Sequence, residues 1–295
     1  YCYAKDTYGN EKSGKCGTVL IDKGIPTLPN VEIDPANSSN CASWHNNYWQ
    51  NTCYDPAFKW SGASDALSGV SGYNIYWGTI PTGTSTAFQT TTTYNPPAIY
   101  PGSYYFRLRV KDVAGNYSAW TTLFTLKYDN TPPSDLTTIS ETHSVQDGVW
   151  QNAISDPAFV WDDSSDDVSG LDGYEIQWDA TTFNSVASYD PPGLADSGES
   201  ILLVRAKDNA GNYSNEITFV FRYDGTPPAN PSSTIETHGV SNSTWTNQNN
   251  PSFTWSGAYA TSGIAGYNVY WGLSSLSTQA TAFVTGEAYT PEPIT

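Results

Sequence analysis

"RVKDVAGNYS", residues 109–118, and "RAKDNAGNYS", residues 205–214, are one motif written twice. Upstream of the first turn, Tyr104, Phe106, Leu108 and Val110 alternate with Tyr105, Arg107, Arg109 and Lys111. A period of two places the first set on one face and the second on the other, which describes a half-buried strand. The Gly-Asn pairs that follow have the chemistry of a tight turn. A third version, "YCYAKDTYGN", occupies residues 1–10.

Working outward, the motif belongs to a longer repeat. Thr131-Pro132-Pro133 and Thr226-Pro227-Pro228 lie 95 residues apart (226 − 131), and Ile25 holds the same place 106 residues before Thr131 (131 − 25). Within each period come "DPAFKWSG", "DPAFVWDD" and "NPSFTWSG", then "SGVSGYNIYWG", "SGLDGYEIQWD" and "SGIAGYNVYWG". Phe58 and Trp60 face inward with Lys59 outward; Tyr73, Ile75 and Trp77 alternate with Asn74 and Tyr76; Glu175 and Gln177 point outward. Trp60, Trp77, Trp161, Trp178, Trp255 and Trp271 all fall on inward faces. Short strands with turn signals every 8–12 residues, and no helical stripe, indicate an all-β chain of sandwiches.

The expected organisation has four parts. Residues 1–24 are the closing hairpin of a split sandwich, 25–130 and 131–225 are complete sandwiches, and 226–295 are a sandwich without its last two strands. The first and last parts then read as pieces of one domain. Either they are the margins of a longer array, or one molecule's open edge accepts the next molecule's hairpin by strand addition. Further copies of the same chain are therefore expected partners.

The segments "FKWSGASDALSGVSGYNIYWG" and "YYFRLRVKDVAGNYSAW" resemble the B–C and F–G regions of a fibronectin type III domain. The "TPP" starts and "KDxAGN" hairpins resemble the Ig-like or fibronectin-III-like arrays of microbial surface proteins. The resemblance covers nearly the whole chain and implies tandem sandwiches in a rod, with incomplete domains at both chain ends. It implies no particular activity, because sandwiches host many functions.

Composition narrows the partners. The chain has 11 Trp, 21 Tyr, 24 Gly and 19 Pro and no Met, which suits strands and turns. A net charge of −17 repels nucleic acid and anionic lipid and favours divalent cations or basic partners. No apolar run is long enough to insert into a membrane. The four cysteines, Cys2, Cys16, Cys41 and Cys53, lack zinc-ligand spacing and read as disulfides in an oxidising compartment, outside the cell or on its surface. Four cysteines allow three connectivities, and Cys2–Cys16 with Cys41–Cys53 closes the shortest loops.

Acidic residues gather where the chain enters each sandwich. The entering segments carry Asp22 and Asp129, the B–C loops Asp65, Asp163, Asp166 and Asp167, and the F–G loops Asp112 and Asp208. Hard oxygen ligands from three segments suit Ca²⁺, which takes six to eight oxygens; Asp and Asn also cap turns without any metal. The third B–C loop, "GAYATSG", has no carboxylate.

Catalytic motifs are missing. No GxSxG, HExxH or phosphate loop occurs, and His143 and His238 share one repeat position, as surface residues do. Trp49, Trp150 and Trp245 either pack at a sheet rim or present rings to glycans. Asn37, Asn116, Asn212 and Asn242 head glycosylation sequons, of which Asn116 and Asn212 also fit their turns. The expectation is a non-enzymatic stalk, fibre or sheath of end-to-end sandwiches. The alternatives are an adhesin or the spacer and carbohydrate-binding region of a secreted enzyme.

Overall fold

The computed structural model describes residues 2–15, 17–39, 41, 45–195, 197–272 and 281–293. Among them every regular element is a strand. In chain order these are β1 (Cys2–Lys5), β2 (Glu11–Gly14), β3 (Asn30–Ile33), β4 (Trp49–Gln50), β5 (Phe58–Ser61), β6 (Val70–Gly78), β7 (Phe88–Gln89), β8 (Thr93–Tyr94), β9 (Gly102–Asp112) and β10 (Thr121–Tyr128). The second repeat follows with β11 (Ile139–Glu141), β12 (Trp150–Gln151), β13 (Phe159–Trp161), β14 (Leu171–Gln177), β15 (Thr181–Asn184), β16 (Ser188–Tyr189), β17 (Gly198–Asp208) and β18 (Ile217–Tyr223). The third contributes β19 (Ser233–Glu236), β20 (Phe253–Ser256), β21 (Tyr267–Val269), β22 (Ala282–Val284) and β23 (Ala288–Tyr289).

The same sheets recur. β3-β5-β8 faces β4-β10-β9-β6-β7 in the first repeat, and β11-β13-β16 faces β12-β18-β17-β14-β15 in the second. All-β tandem sandwiches are therefore the architecture. By compactness the chain divides into two units: Tyr1–Asp135 with Ser164–Asp172 and Ala206–Ser214, and Leu136–Asp163 with Gly173–Arg205 and Asn215–Thr295.

Alternation becomes burial where two sheets meet. Phe58, Trp60, Tyr73, Ile75, Phe106, Leu108, Val110 and Phe124 form the first core. Phe58 stacks on Phe106 with centroids 4.5 Å apart, and Trp60 meets Tyr73 edge-on at 5.3 Å. Such pairs add to the area term, which is about 2 kcal/mol for each buried ring or aliphatic side chain. In the second repeat Phe159, Trp161, Tyr174, Ile176, Leu202, Val204 and Phe221 are buried in the same places. Gly72 explains why glycine precedes this tyrosine, since a Cβ there would lie 2.5 Å from the Gln89 carbonyl oxygen.

Three inward or outward assignments need correction. Trp255 and Trp271 are half-buried: among the described residues the β21–β22 sheet has no strands in the places of β9 and β10. Asn74, expected outward, is buried: its Nδ2 donates to the Thr86 and Ala87 carbonyls, and its Oδ1 accepts from Arg109. The segment before β7 supplies those two carbonyls and covers the side chain, while β7 itself pairs with β6 at the sheet edge. A disulfide joins Cys41 and Cys53, packed against the fully buried Leu126. The Cys2–Cys16 expectation falls on Cys16, outside the described residues.

Candidate functional site

Three segments meet where the chain enters the first sandwich. Asp112 ends β9, and its turn is closed by its own carboxylate. Oδ1 accepts the N–H groups of Gly115 (2.6 Å) and Asn116 (2.7 Å), while Oδ2 accepts Asn116 Nδ2 (2.7 Å). Asp65 caps the loop before β6, its Oδ1 accepting the N–H groups of Leu67, Ser68 and Gly69 and the Ser68 hydroxyl. Asp22, in the entering segment, bridges the two. Its Oδ2 accepts Ser68 N–H at 3.1 Å, and its carbonyl accepts Asn116 Nδ2 at 3.2 Å.

The arrangement recurs at the second joint. Asp129 Oδ2 accepts Ser169 N–H (3.1 Å) and its carbonyl accepts Asn212 Nδ2 (3.0 Å). Asp166 Oδ1 caps Val168, Ser169 and Gly170, and Asp208 closes its turn through Ala210 and Asn212. In each trio, Asp22 with Asp65 and Asp112 or Asp129 with Asp166 and Asp208, one carboxylate oxygen per residue lies within 4.8 Å of the others. Asp112, Asp129 and Asp208 are fully buried.

The trio's donor set suits a hard cation, since three carboxylates supply part of a six- to eight-oxygen shell and concentrate negative charge at one point. The same oxygens also serve as turn caps, so their geometry is explained without an ion. Asp163 and Asp167 stand exposed, outside the trio. In the third repeat the set is partial. Asp224 Oδ2 accepts Ser262 N–H at 2.9 Å, and the Ser262 hydroxyl first, then this N–H and the Ser197 hydroxyl, hold its carboxyl down at about 2.

The remaining candidates separate. Trp49 and Trp150 lie half-buried on β4 and β12, which run parallel to β10 and β18, beneath Lys127 (5.8 Å) and Arg222 (5.9 Å). Trp245 is fully exposed, at 102%. Asn116 and Asn212 have their amide nitrogens engaged as described, and the sequon serines Ser118 and Ser214 are buried, their hydroxyls accepting the Val110 and Ala206 N–H groups. Asn37 is exposed, with Nδ2 donating to Asp34 at 2.6 Å; Asn242 is exposed near Trp245.

One site escaped the sequence reading. Glu141, 4% exposed, accepts the N–H groups of His143, Val145 and Ala158 and the His143 ring nitrogen. Burial opposes these bonds, but together they leave its carboxyl below the usual range. Glu236 and Asp34 repeat the role. The repeated "ETH" was the available signal: the acid, not the histidine, is the structural member.

No protein-family model matches the chain. It is 35% identical over 162 residues to Exoglucanase B of Cellulomonas fimi, covering 52% of this chain and 14% of that protein. It is 30% identical over 169 residues to Chitinase A1 of Niallia circulans, covering 55% of this chain and 23% of that protein. The chain thus spans under a quarter of either relative. Among solved structures, the fibronectin(III)-like modules of Clostridium thermocellum CbhA match with a TM-score of 0.34 at 14% identity, over 65% of this chain and 93% of that one. That overlap is loose, and the fold rests on the strand order above. Among the described residues no helix is long and apolar enough to cross a membrane, which says nothing of a β-barrel. The disulfide and the relatives agree on an extracellular chain.

Proposed function

We propose that these fibronectin III-like sandwiches form the non-catalytic spacer region of a secreted polysaccharide-degrading enzyme. One observation carries the reading. The stretch is similar to parts of two proteins whose names state different activities, an exoglucanase and a chitinase. A chain similar to parts of both is poorly placed to set either activity. The relatives favour this spacer over the stalk, fibre or sheath. The joints fit it too, because the entering segment is tied to two loops at Asp22 and again at Asp129. Each joint carries a carboxylate trio whose donor set is that of a calcium site.

The test is deletion from the full-length enzyme. Hydrolysis of soluble oligosaccharide should be unchanged, hydrolysis of insoluble glucan or chitin should fall, and the isolated chain should hydrolyse neither. Catalysis by the isolated chain, or loss of soluble-substrate activity on deletion, would reject the spacer. Contact with neutral glucan rests on the exposed Trp245 alone. Binding of the chain to insoluble glucan that survives Trp245→Ala would remove it.

A further inference from the structure

The negative charge of the chain is unevenly spread. Residues 131–225 hold 17 Asp or Glu against three Lys or Arg, net −14, whereas residues 25–130 hold six against five, net −1. In the second sandwich each of the three cations is answered by a carboxylate. Lys207 pairs with Asp172 at 3.1 Å, Arg222 with Glu199 at 2.6 Å, and Arg205 with Glu175 and, at 3.9 Å, with Glu216.

The first sandwich keeps these cations as Lys111, Lys127 and Arg109, and adds Arg107 where the second has Leu203. All four partner acids are replaced. Ser71 stands in the place of Asp172, Ser103 of Glu199, Asn74 of Glu175 and Trp120 of Glu216. Among the described residues none of the four cations forms an ion pair.

Neutral groups hold them instead. Arg107 donates to the Thr122 hydroxyl and to the Gly83 and Trp120 carbonyls, and Arg109 Nε donates to Asn74 Oδ1 at 3.1 Å. Arg109 lies over the Tyr117 ring at 4.1 Å and the Trp120 ring at 5.3 Å; Lys111 lies over Tyr117 at 5.4 Å and Lys127 over Trp49 at 5.8 Å. Rings and carbonyls fix a cation in place without cancelling its charge. The outer donors of Arg109 and the ammonium groups of Lys111 and Lys127 stay free of hydrogen bonds among the described residues.

The cations form a row. Arg107, Arg109 and Lys111 take successive outward places on β9, about 7 Å apart. Lys127 stands on β10, opposite Ser103. β9 is paired on both sides, so it offers no edge for a peptide to extend, and a row of charges gives an amphipathic helix no apolar groove. A net charge of −17 opposes nucleic acid. An extended polymer with anions at intervals and hydroxyls between them fits both the row and its free donors.

We propose that this face of the first sandwich binds an anionic polysaccharide, whose carboxylate or sulfate groups are met by Arg109, Lys111 and Lys127. The second sandwich, with its cations already paired, does not. The proposal is independent of the spacer reading, because it concerns one sheet face and not what the chain is joined to.

Calorimetric titration of the full chain with polygalacturonate, dextran sulfate and neutral dextran tests it. At low salt one or both polyanions should bind, the tighter naming the anion, and neutral dextran should not. Binding should weaken as salt rises, since the cations are at the surface. Arg109→Gln and Lys111→Gln should each weaken it about tenfold, for one charged hydrogen bond. Ser71→Asp with Ser103→Glu removes no cation and, at two partly exposed places, supplies the partners that Lys207 and Arg222 have. It should weaken binding about a hundredfold without lowering the melting temperature, which separates a lost site from a lost fold. A wild-type chain that binds neither polyanion overturns the proposal. So does a Ser71→Asp, Ser103→Glu chain that binds like wild type, or polyglutamate bound as tightly as either polysaccharide, because the face then takes an acidic protein.

Discussion

The first and third repeats carry nearly the same inward residues and differ in what lies over them. Phe58 and Phe253 follow the same proline at the same spacing, and each begins its strand. Phe58 is 0% exposed, ringed by Trp77, Phe106 and Phe124 at 4.5–5.3 Å. Phe253 has one ring contact among the described residues, with Trp271 beyond β21 at 5.5 Å, and is half-buried. Alternation writes which face is apolar; burial is a property of two layers. The hydrophobic gain belongs to the pair of sheets, because area is removed from water only when both are present.

The widest separation should come from truncating this pair. Phe58→Ala should cost about 3–5 kcal/mol, the range for a large ring lost from a closed core. Phe253→Ala in the monomeric chain should cost less than half of that. Tandem domains need not unfold in one step, so the comparison belongs to denaturant melts that resolve the repeats, followed by tryptophan fluorescence. Equal costs would mean that the third repeat is closed in solution.

A second contrast runs between the joints. Two carry three carboxylates each, and the third has Asp224 beside a loop that supplies Ser262 but no acid. Calcium at a hundredfold excess over its dissociation constant should stabilise the trio-bearing sandwiches by about 2.7 kcal/mol and leave the third repeat unmoved. Asp65→Asn with Asp166→Asn should abolish the shift. A rise no larger than a matched monovalent salt gives, or one equal in all three repeats, would leave the trios as turn caps only.

How much of this was legible in the sequence depends on the range of each signal. The period, the strands through Phe58, Tyr73 and Phe106, and the gathering of Asp22, Asp65 and Asp112 follow from short-range pattern and loop placement. Asn74 differs from its expected outward placement because period two assigns a face and cannot see the segment before β7 that covers it. β4 and β12 were invisible as strands: two residues carry no periodicity, and their pairing is with β10 and β18, more than 70 residues away. The "NYS" sequons point to sugar only by pattern. In the fold Ser118 and Ser214 are backbone acceptors inside the turn that Asp112 and Asp208 close.

That turn allows a narrower comparison, because one of its versions is exposed. Asp208 is fully buried, and Asp208→Ala would strand the N–H groups of Ala210 and Asn212 away from water, at a cost of about 2 kcal/mol. The same change at Asp6 leaves its N–H groups to solvent and should scarcely move the melt. Hydrogen exchange at the Asn212 and Asn10 amides would report both. A loss of protection at Asn10 as large as that at Asn212 would show that the β1–β2 turn is also covered.

The smallest difference sets the second sandwich against the first. Asp162 follows Trp161 where Ser61 follows Trp60, and it reaches the segment that leads into the neighbouring strand β11. Its Oδ1 and Oδ2 take the N–H groups and hydroxyls of Thr137 and Thr138 at 2.8–3.2 Å. The Thr138 N–H is the chief cause, opposed by burial and helped by Thr137, and the carboxyl falls from 3.8 to about 2. A folded value below the unfolded one gives stability that is complete above pH 3.8 and drains away as pH falls toward 2. With solvent screening the loss should be on the order of 1 kcal/mol. Acid melts of wild type and Asp162→Ser should therefore converge near pH 2 and separate above pH 4, the second sandwich alone responding. Parallel curves across that window would mean that the Thr137–Thr138 clamp holds equally well with a protonated acid, and the second sandwich would then differ from the first in sequence only.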